Sequence, residues 1–282
     1  MIQSFLLIGQ SNMAGRGYLN DVPQILNENI KVLRNGRWQI MFEPIHNDRS
    51  TAGVGLSSSF AASWQAHNKE LEIGLIPCAD GGTSLDDWSI GGALFDHAVA
   101  QAKLAVRSSQ LAGILWHQGE NDSFAHTAAH YSDKFEKIIT ELRSQLDAPH
   151  LPLIIGEIGN FLTNGLYGQY FTSYPKVNEE LLKYAQSHAH CYYVTAKNLT
   201  ANEDQLHFDA KSQRILGVRY YEAFAKLKHI TTPLLNEKAR VEDLYTRSMT
   251  ENENKLLLQH RFGSGEISQE EFLIKMKALG IS

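Results

Sequence analysis

Leu6-Leu7-Ile8-Gly9-Gln10-Ser11-Asn12-Met13-Ala14-Gly15 joins a short apolar run to a cluster of small and polar residues. Phe5 to Ile8 has the length and composition of a buried strand. Gly9 and Gly15 permit a tight turn and a close backbone approach just beyond it. A serine at the C-terminal end of the first strand of an α/β chain stands where such folds keep their chemistry. By itself Ser11 reads as a helix cap; later stretches give it a second meaning.

The same rhythm recurs along the chain. Ile73-Gly74-Leu75-Ile76-Pro77-Cys78 ends in Ala79-Asp80-Gly81-Gly82-Thr83-Ser84, and Ile114-Leu115-Trp116 runs into His117-Gln118-Gly119-Glu120-Asn121-Asp122. The apolar stretch 151–155 stops at Gly156-Glu157, and 191–195 precedes Asp204-Gln205-Leu206-His207. Residues 57–69, 94–106, 131–146, 175–188 and 212–227 read as the intervening helices. Stretches 30–33 and 38–41 flank Arg34-Asn35-Gly36-Arg37, a hairpin signal. Alternating strands and helices predict an α/β fold, with a mostly parallel central sheet covered on both faces. The carboxyl ends of such strands open on one ligand crevice. Ser11, Gly81-Gly82, Gln118-Gly119-Glu120 and Glu157 all follow predicted strands, so they converge there.

The 282 residues, 43% hydrophobic and 20% charged, suit one large domain with an appendage. A net charge of −5 argues against a nucleic-acid partner, which would need a basic face. No window approaches about 18 apolar residues, so no membrane span is expected. Met1 is followed by neither a basic n-region nor an apolar stretch of signal length, which points to a cytoplasmic protein. Cys78 and Cys191 each sit at the edge of an apolar run and read as small core residues.

Asp204 and His207 lie three apart, a spacing that lets the carboxylate reach Nδ1, fix the tautomer and leave Nε2 free for a serine hydroxyl. Serine is a weak nucleophile and needs such a base. Backbone N–H groups at Gly82 and Ser11, with a side-chain amide from Gln118 or Asn121, would make an oxyanion hole.

Taken together, Gly9-Gln10-Ser11-Asn12-Met13-Ala14-Gly15, Gly81-Gly82-Thr83-Ser84, His117-Gln118-Gly119-Glu120 and Asp204-x-x-His207 resemble the signature blocks of one family. It is the carbohydrate acetylesterase family of acetylxylan esterases and sialate O-acetylesterases, a branch of the SGNH hydrolases. The resemblance spans about residues 1–229 and extends to Ser212-Gln213-Arg214-x-Leu216-Gly217-x-Arg219-Tyr220. It implies a flavodoxin-like three-layer sandwich and ester hydrolysis without a metal or other cofactor. Ser11 is then the nucleophile and His207 the general base. The acid is Asp204 on spacing, or Glu120, whose block has also been credited with it. The oxyanion amide is Asn121 or Gln118, according to which block is aligned.

The expected substrate is an acetylated sugar, foremost an acetylated xylo-oligosaccharide. A sialate O-acetylesterase or broad small-ester esterase is the alternative, and a non-catalytic carbohydrate-binding protein on the same fold is the rival of another class. Gln10, Trp88 and Glu157 are candidate substrate contacts, as are the aromatic residues of the 159–174 loop. Among the histidines, His188-Ala189-His190 and His126-x-x-x-His130 have ligand-like spacing but lack a third ligand in a recognisable motif. Residues 1–230 form the esterase-type domain in this reading, and 231–282 a C-terminal helical tail. The tail is expected to hold two short helices around Gly263-Ser264-Gly265. Its run Gly265-Glu266-Ile267-Ser268-Gln269-Glu270-Glu271-Phe272 resembles the short helical module that ends many bacterial proteins. Docking or homo-oligomerisation is its expected role, with an inert helical tail as the equal alternative.

Overall fold

The computed structural model describes residues 1–280. In chain order the main elements are β1 (Ile2–Gly9), α1 (Ser11–Ala14), β2 (Ile30–Arg34), β3 (Arg37–Ile40), α2 (Leu56–His67), β4 (Glu72–Pro77), α3 (Ala93–Ala105) and β5 (Ser109–His117). There follow α4 (Ala125–Ala128), α5 (Tyr131–Gln145), β6 (Leu153–Gly156), α6 (Tyr174–Ser187), β7 (Cys191–Val194) and α7 (Ala210–Lys226). Helices α8 (Glu237–Tyr245), α9 (Glu251–Gly263) and α10 (Gln269–Ala278) close the described chain.

The strands form one sheet in the order β3-β2-β4-β1-β5-β6-β7. All neighbours are parallel except the β2–β3 hairpin at the edge. Phe5, Leu6, Leu7 and Ile8 are buried because β1 is covered on both faces, which is why its sequence is a continuous apolar run. Helices α2 and α7 pack together as one layer, while α3, α5 and α6 form the other. After β1 the chain runs to the β2–β3 hairpin at the edge, returns through α2 to β4 beside β1, and then crosses past β1 through α3 to β5. The strand order therefore reverses beside β1, and a crevice opens between the carboxyl ends of β1 and β5.

Two features escape hydropathy. β5 starts at Ser109, well before its apolar run, because Ser109 to Leu111 join the sheet by backbone pairing with Ile2 to Ser4. Among the described residues the tail holds three helices rather than two. Its extra helix, α8, is held by an ion pair from Glu237 to the buried Arg219 of α7 (2.7 Å) and by buried Val241, not by an apolar stripe. At the start of α9, Thr250 and Glu253 form a capping box. Glu253 is buried and also accepts from the Glu28 amide (2.9 Å) and from Arg247 (2.6 Å), which fastens the tail to the loop before β2.

The α2–α7 layer contains a charged core contact. Arg214 of α7 is fully buried and makes a bidentate pair with buried Glu43 (2.7 and 2.5 Å), joined by Ser58 of α2. Glu43→Ala would strand the guanidinium in the core, so it is expected to cost about 3–5 kcal/mol in urea unfolding. The double variant Glu43→Leu/Arg214→Met should recover most of that loss. A double variant as unstable as Glu43→Ala would show that the loss does not come from the stranded charge.

Candidate active site

The crevice is built from the end of β1. Gly9 has φ +133°, and a Cβ there would lie 2.1 Å from the His117 carbonyl oxygen, so only glycine lets β1 end against β5. The Gln10 amide donates to that same carbonyl (3.0 Å), and the chain turns directly into α1. Ser11 is the first residue of α1, so its N–H has no partner within the helix.

His207 comes from the loop after β7. Asp204 Oδ1 accepts from the amides of Leu206 (2.9 Å) and His207 (3.0 Å), a local turn that presents the ring. The Asp204 Oδ2 oxygen lies 2.6 Å from His207 Nδ1, and His207 Nε2 lies 3.0 Å from Ser11 Oγ. Since ionised Asp204 can only accept, the ring carries its proton on Nδ1 and offers a lone pair at Nε2 to the serine hydroxyl. Burial pushes the Asp204 carboxyl up, but hydrogen bonds from the His207 ring and from the two amides outweigh it and hold the acid at about 2.

Asn12 ties this loop to α1. Its Oδ1 accepts from the Phe208 amide (3.0 Å), and its Nδ2 donates to the Leu206 carbonyl (3.3 Å) and to Glu120 Oε1 (2.5 Å). Glu120 is buried, its other oxygen has no partner, and burial pushes its carboxyl up. It accepts from Asn12 and lies 3.9 Å from His117 Nε2, whereas the His207 ring nitrogens meet Asp204 and Ser11. Behind it, burial drives the His117 ring down to about 3 and keeps it neutral, with Nδ1 3.0 Å from the Tyr220 hydroxyl.

A cavity of about 290 Å³ lies over Ser11, walled by Gly82, Asn121, Phe171, Leu206 and His207. Gly82 has φ +78°, and a Cβ there would meet only open space. Asn121 Nδ2 donates to the Gly82 carbonyl (2.9 Å), which uses one of its two hydrogens and leaves the other. Ser11, Gly82 and Asn121 thus line one cavity.

Several expected contacts are corrected. Gln118 is fully buried and spends its amide on Asp122 (2.5 Å) and the Thr83 carbonyl (3.1 Å), so it has no hydrogen left for an oxyanion. Trp88 is buried edge-on against Trp116 and donates to Thr83 (3.2 Å), which closes its face to a sugar. Glu157 Oε2 accepts from Thr195 (2.5 Å) and the Ala196 amide (2.6 Å), so it braces the loop after β7 outside the cavity. Gln10 lines the cavity, but its Oε1 faces inward to the amides of Gly119 (3.2 Å) and Asn121 (3.3 Å).

Arg16 and Arg49, which the motif reading passes over, also line the cavity. Arg16 pairs with Asp48 (2.5 Å) and Arg49 with Asp80 (2.7 Å). The position of Arg16 directly after the serine block was the available signal; its partner, 32 positions on, was not. Among the described residues, no group of three His, Cys, Asp or Glu side chains is placed to hold a metal ion, and no helix is long and apolar enough to cross a membrane.

On this α/β fold, the family that the sequence matches makes the chain a carboxylic ester hydrolase. The chain belongs to the carbohydrate esterase family described as sialic acid-specific acetylesterase, whose sequence model matches residues 1–226. It is 33% identical over 247 residues to a probable carbohydrate esterase of Arabidopsis thaliana, covering 79% of this chain and 90% of the plant protein. The X-ray structure of that plant protein gives a TM-score of 0.72 at 30% identity, covering 79% of this chain and 98% of the other. A carbohydrate acetylesterase from Xanthomonas citri shares the fold, with a TM-score of 0.59 at 17% identity over 78% of this chain and 55% of that one.

Proposed function

We propose that the protein removes O-acetyl groups from acetylated sugars by two-step acyl transfer through Ser11. The observation that carries this reading is the continuous line from Asp204 through both nitrogens of His207 to Ser11, at 2.6 and 3.0 Å. Ser11 Oγ attacks the acetyl carbonyl while His207 Nε2 takes its proton. The Ser11 and Gly82 N–H groups and the free Asn121 hydrogen receive the developing oxyanion, and each such donor is worth about 10²–10³ in rate. His207 then gives its proton to the departing sugar oxygen and leaves acetyl-Ser11. Water, deprotonated by the same nitrogen, releases acetate and restores the serine.

The favoured substrate is an acetylated xylo-oligosaccharide. Support comes from electrostatics, because both guanidinium groups in the cavity wall already face carboxylates and leave no unpaired cation for an acidic sugar. O-Acetyl sialic acid is the second reading, favoured by Arg49, whose side chain is 50% exposed beside the cavity. Acetate release from acetylated xylo-oligosaccharides and from O-acetyl sialic acid tests the choice. A higher kcat/KM on the xylo-oligosaccharides is expected, and the reverse order would overturn this substrate assignment. Failure to release acetate from any acetylated sugar would remove the carbohydrate reading altogether.

A further inference from the structure

We propose that a second cavity beside the first, of about 520 Å³, is a subsite for the neutral sugar next to the one that bears the acetyl group. This rests on the acetyl-sugar reading above. The two cavities share His207 and Arg16 in their walls. His207 Nε2 must reach the departing oxygen, so the acetylated ring lies against the imidazole. A chain continuing from that ring is carried past His207 into the larger space. The smaller cavity, at about 290 Å³, is near the lower limit of pockets that enclose a whole small ligand. It holds an acetyl group and its ring, not an oligosaccharide.

The walls of the second cavity suit a neutral sugar. Tyr18 and Leu19, 53% and 46% exposed, stand in its wall together with Asn20 and Thr51. A tyrosine ring offers an apolar face with a polar tip, which matches the C–H faces and hydroxyl edges of a pyranose. The Asp204 side chain, 46% exposed, also borders the space, while Arg16 turns its charge to Asp48. An acidic sugar would meet a carboxylate there without a free cation. The cleft is also pre-formed, because Gly17 and Val54 exchange both backbone hydrogen bonds (3.0 and 2.8 Å) and so fix the Tyr18 turn against the 51–54 segment.

The test compares kcat/KM for mono-O-acetyl xylose with that for mono-O-acetyl xylobiose and xylotriose, in the wild type, Tyr18→Ala and Thr51→Trp. Tyr18 and Thr51 are exposed, so neither variant removes core packing. The wild type should prefer the oligosaccharides at least tenfold. Tyr18→Ala should cut that preference at least fivefold, chiefly through KM, and Thr51→Trp should abolish it by filling the cleft. Equal kcat/KM for xylose and xylotriose esters in the wild type, or a preference that survives both variants, overturns the subsite while leaving the esterase intact. Absence of acetate release from every sugar overturns the subsite together with the reading it rests on.

Discussion

Ser11→Ala is expected to lower kcat for acetyl esters on the order of 10⁶-fold, the scale on which a triad serine acts. The Ser11 hydroxyl has its hydrogen bond with His207 Nε2, whereas the turn around it is held by backbone. Met13 and Ala14 amides donate to the Gln10 carbonyl (both 3.0 Å), and the Gly15 amide to the Ser11 carbonyl (2.8 Å). Alanine keeps all three. The urea midpoint of the variant should therefore stay close to wild type, which separates lost chemistry from lost fold. A fluorophosphonate should label wild-type Ser11 and leave the variant unlabelled. Turnover within tenfold of wild type in a folded Ser11→Ala protein would exclude Ser11 as the nucleophile, and with it the acyl-enzyme route.

How much of this is legible in the sequence depends on whether a feature is local. β1 announces itself because burial on both faces demands the unbroken run Phe5 to Ile8, and Gly9 follows where the backbone must touch His117. The hairpin is legible because Asn35 and Gly36, both at positive φ, supply the turn its strands need. Strand-end position also explains why Ser11, Gly82 and Asn121 share one crevice. Side-chain direction at those ends is not legible. Gln118 and Asn121 are both amides at the same strand end, yet the first turns in to Asp122 and the second lines the cavity. Trp88 and Glu157 mislead for the same reason, since sequence alone does not say whether a polar or aromatic residue beside a crevice faces it or braces the turn behind it. Long-range pairs are the other blind spot. Arg16–Asp48, Arg214–Glu43 and Glu253–Glu28 join distant segments with no periodic or spacing signal in the sequence. The extra helix α8 belongs here too, because an ion pair to α7 anchors it.

Asp204→Asn is expected to lower kcat about 10⁴-fold, whereas Glu120→Gln should cost less than about tenfold. The difference follows from what each carboxylate touches. Asp204 meets His207 Nδ1 directly, so in the proposed mechanism its charge fixes the tautomer and stabilises the imidazolium formed when Ser11 gives up its proton. An asparagine amide can turn its NH₂ toward the ring and select the wrong tautomer. Because Asp204 is held at about 2, it stays ionised throughout the neutral and mildly acidic range, so its protonation does not set the acid limit of activity. With its acid held below the usual carboxylate value, the stability it contributes is present above about pH 4 and is lost as pH falls through about 2. Glu120 acts one residue further back. It accepts from Asn12, which in turn holds the Leu206 carbonyl and the Phe208 amide on either side of the histidine. Glutamine keeps an oxygen for Asn12 in a site where burial already disfavours the charge, so Glu120→Gln preserves the brace. Glu120→Ala removes it, and should cost about 1–3 kcal/mol in stability together with a larger fall in kcat than Glu120→Gln. A loss in Glu120→Gln as deep as that in Asp204→Asn would transfer the acid's role to Glu120, and the Asn12 contact would then be secondary.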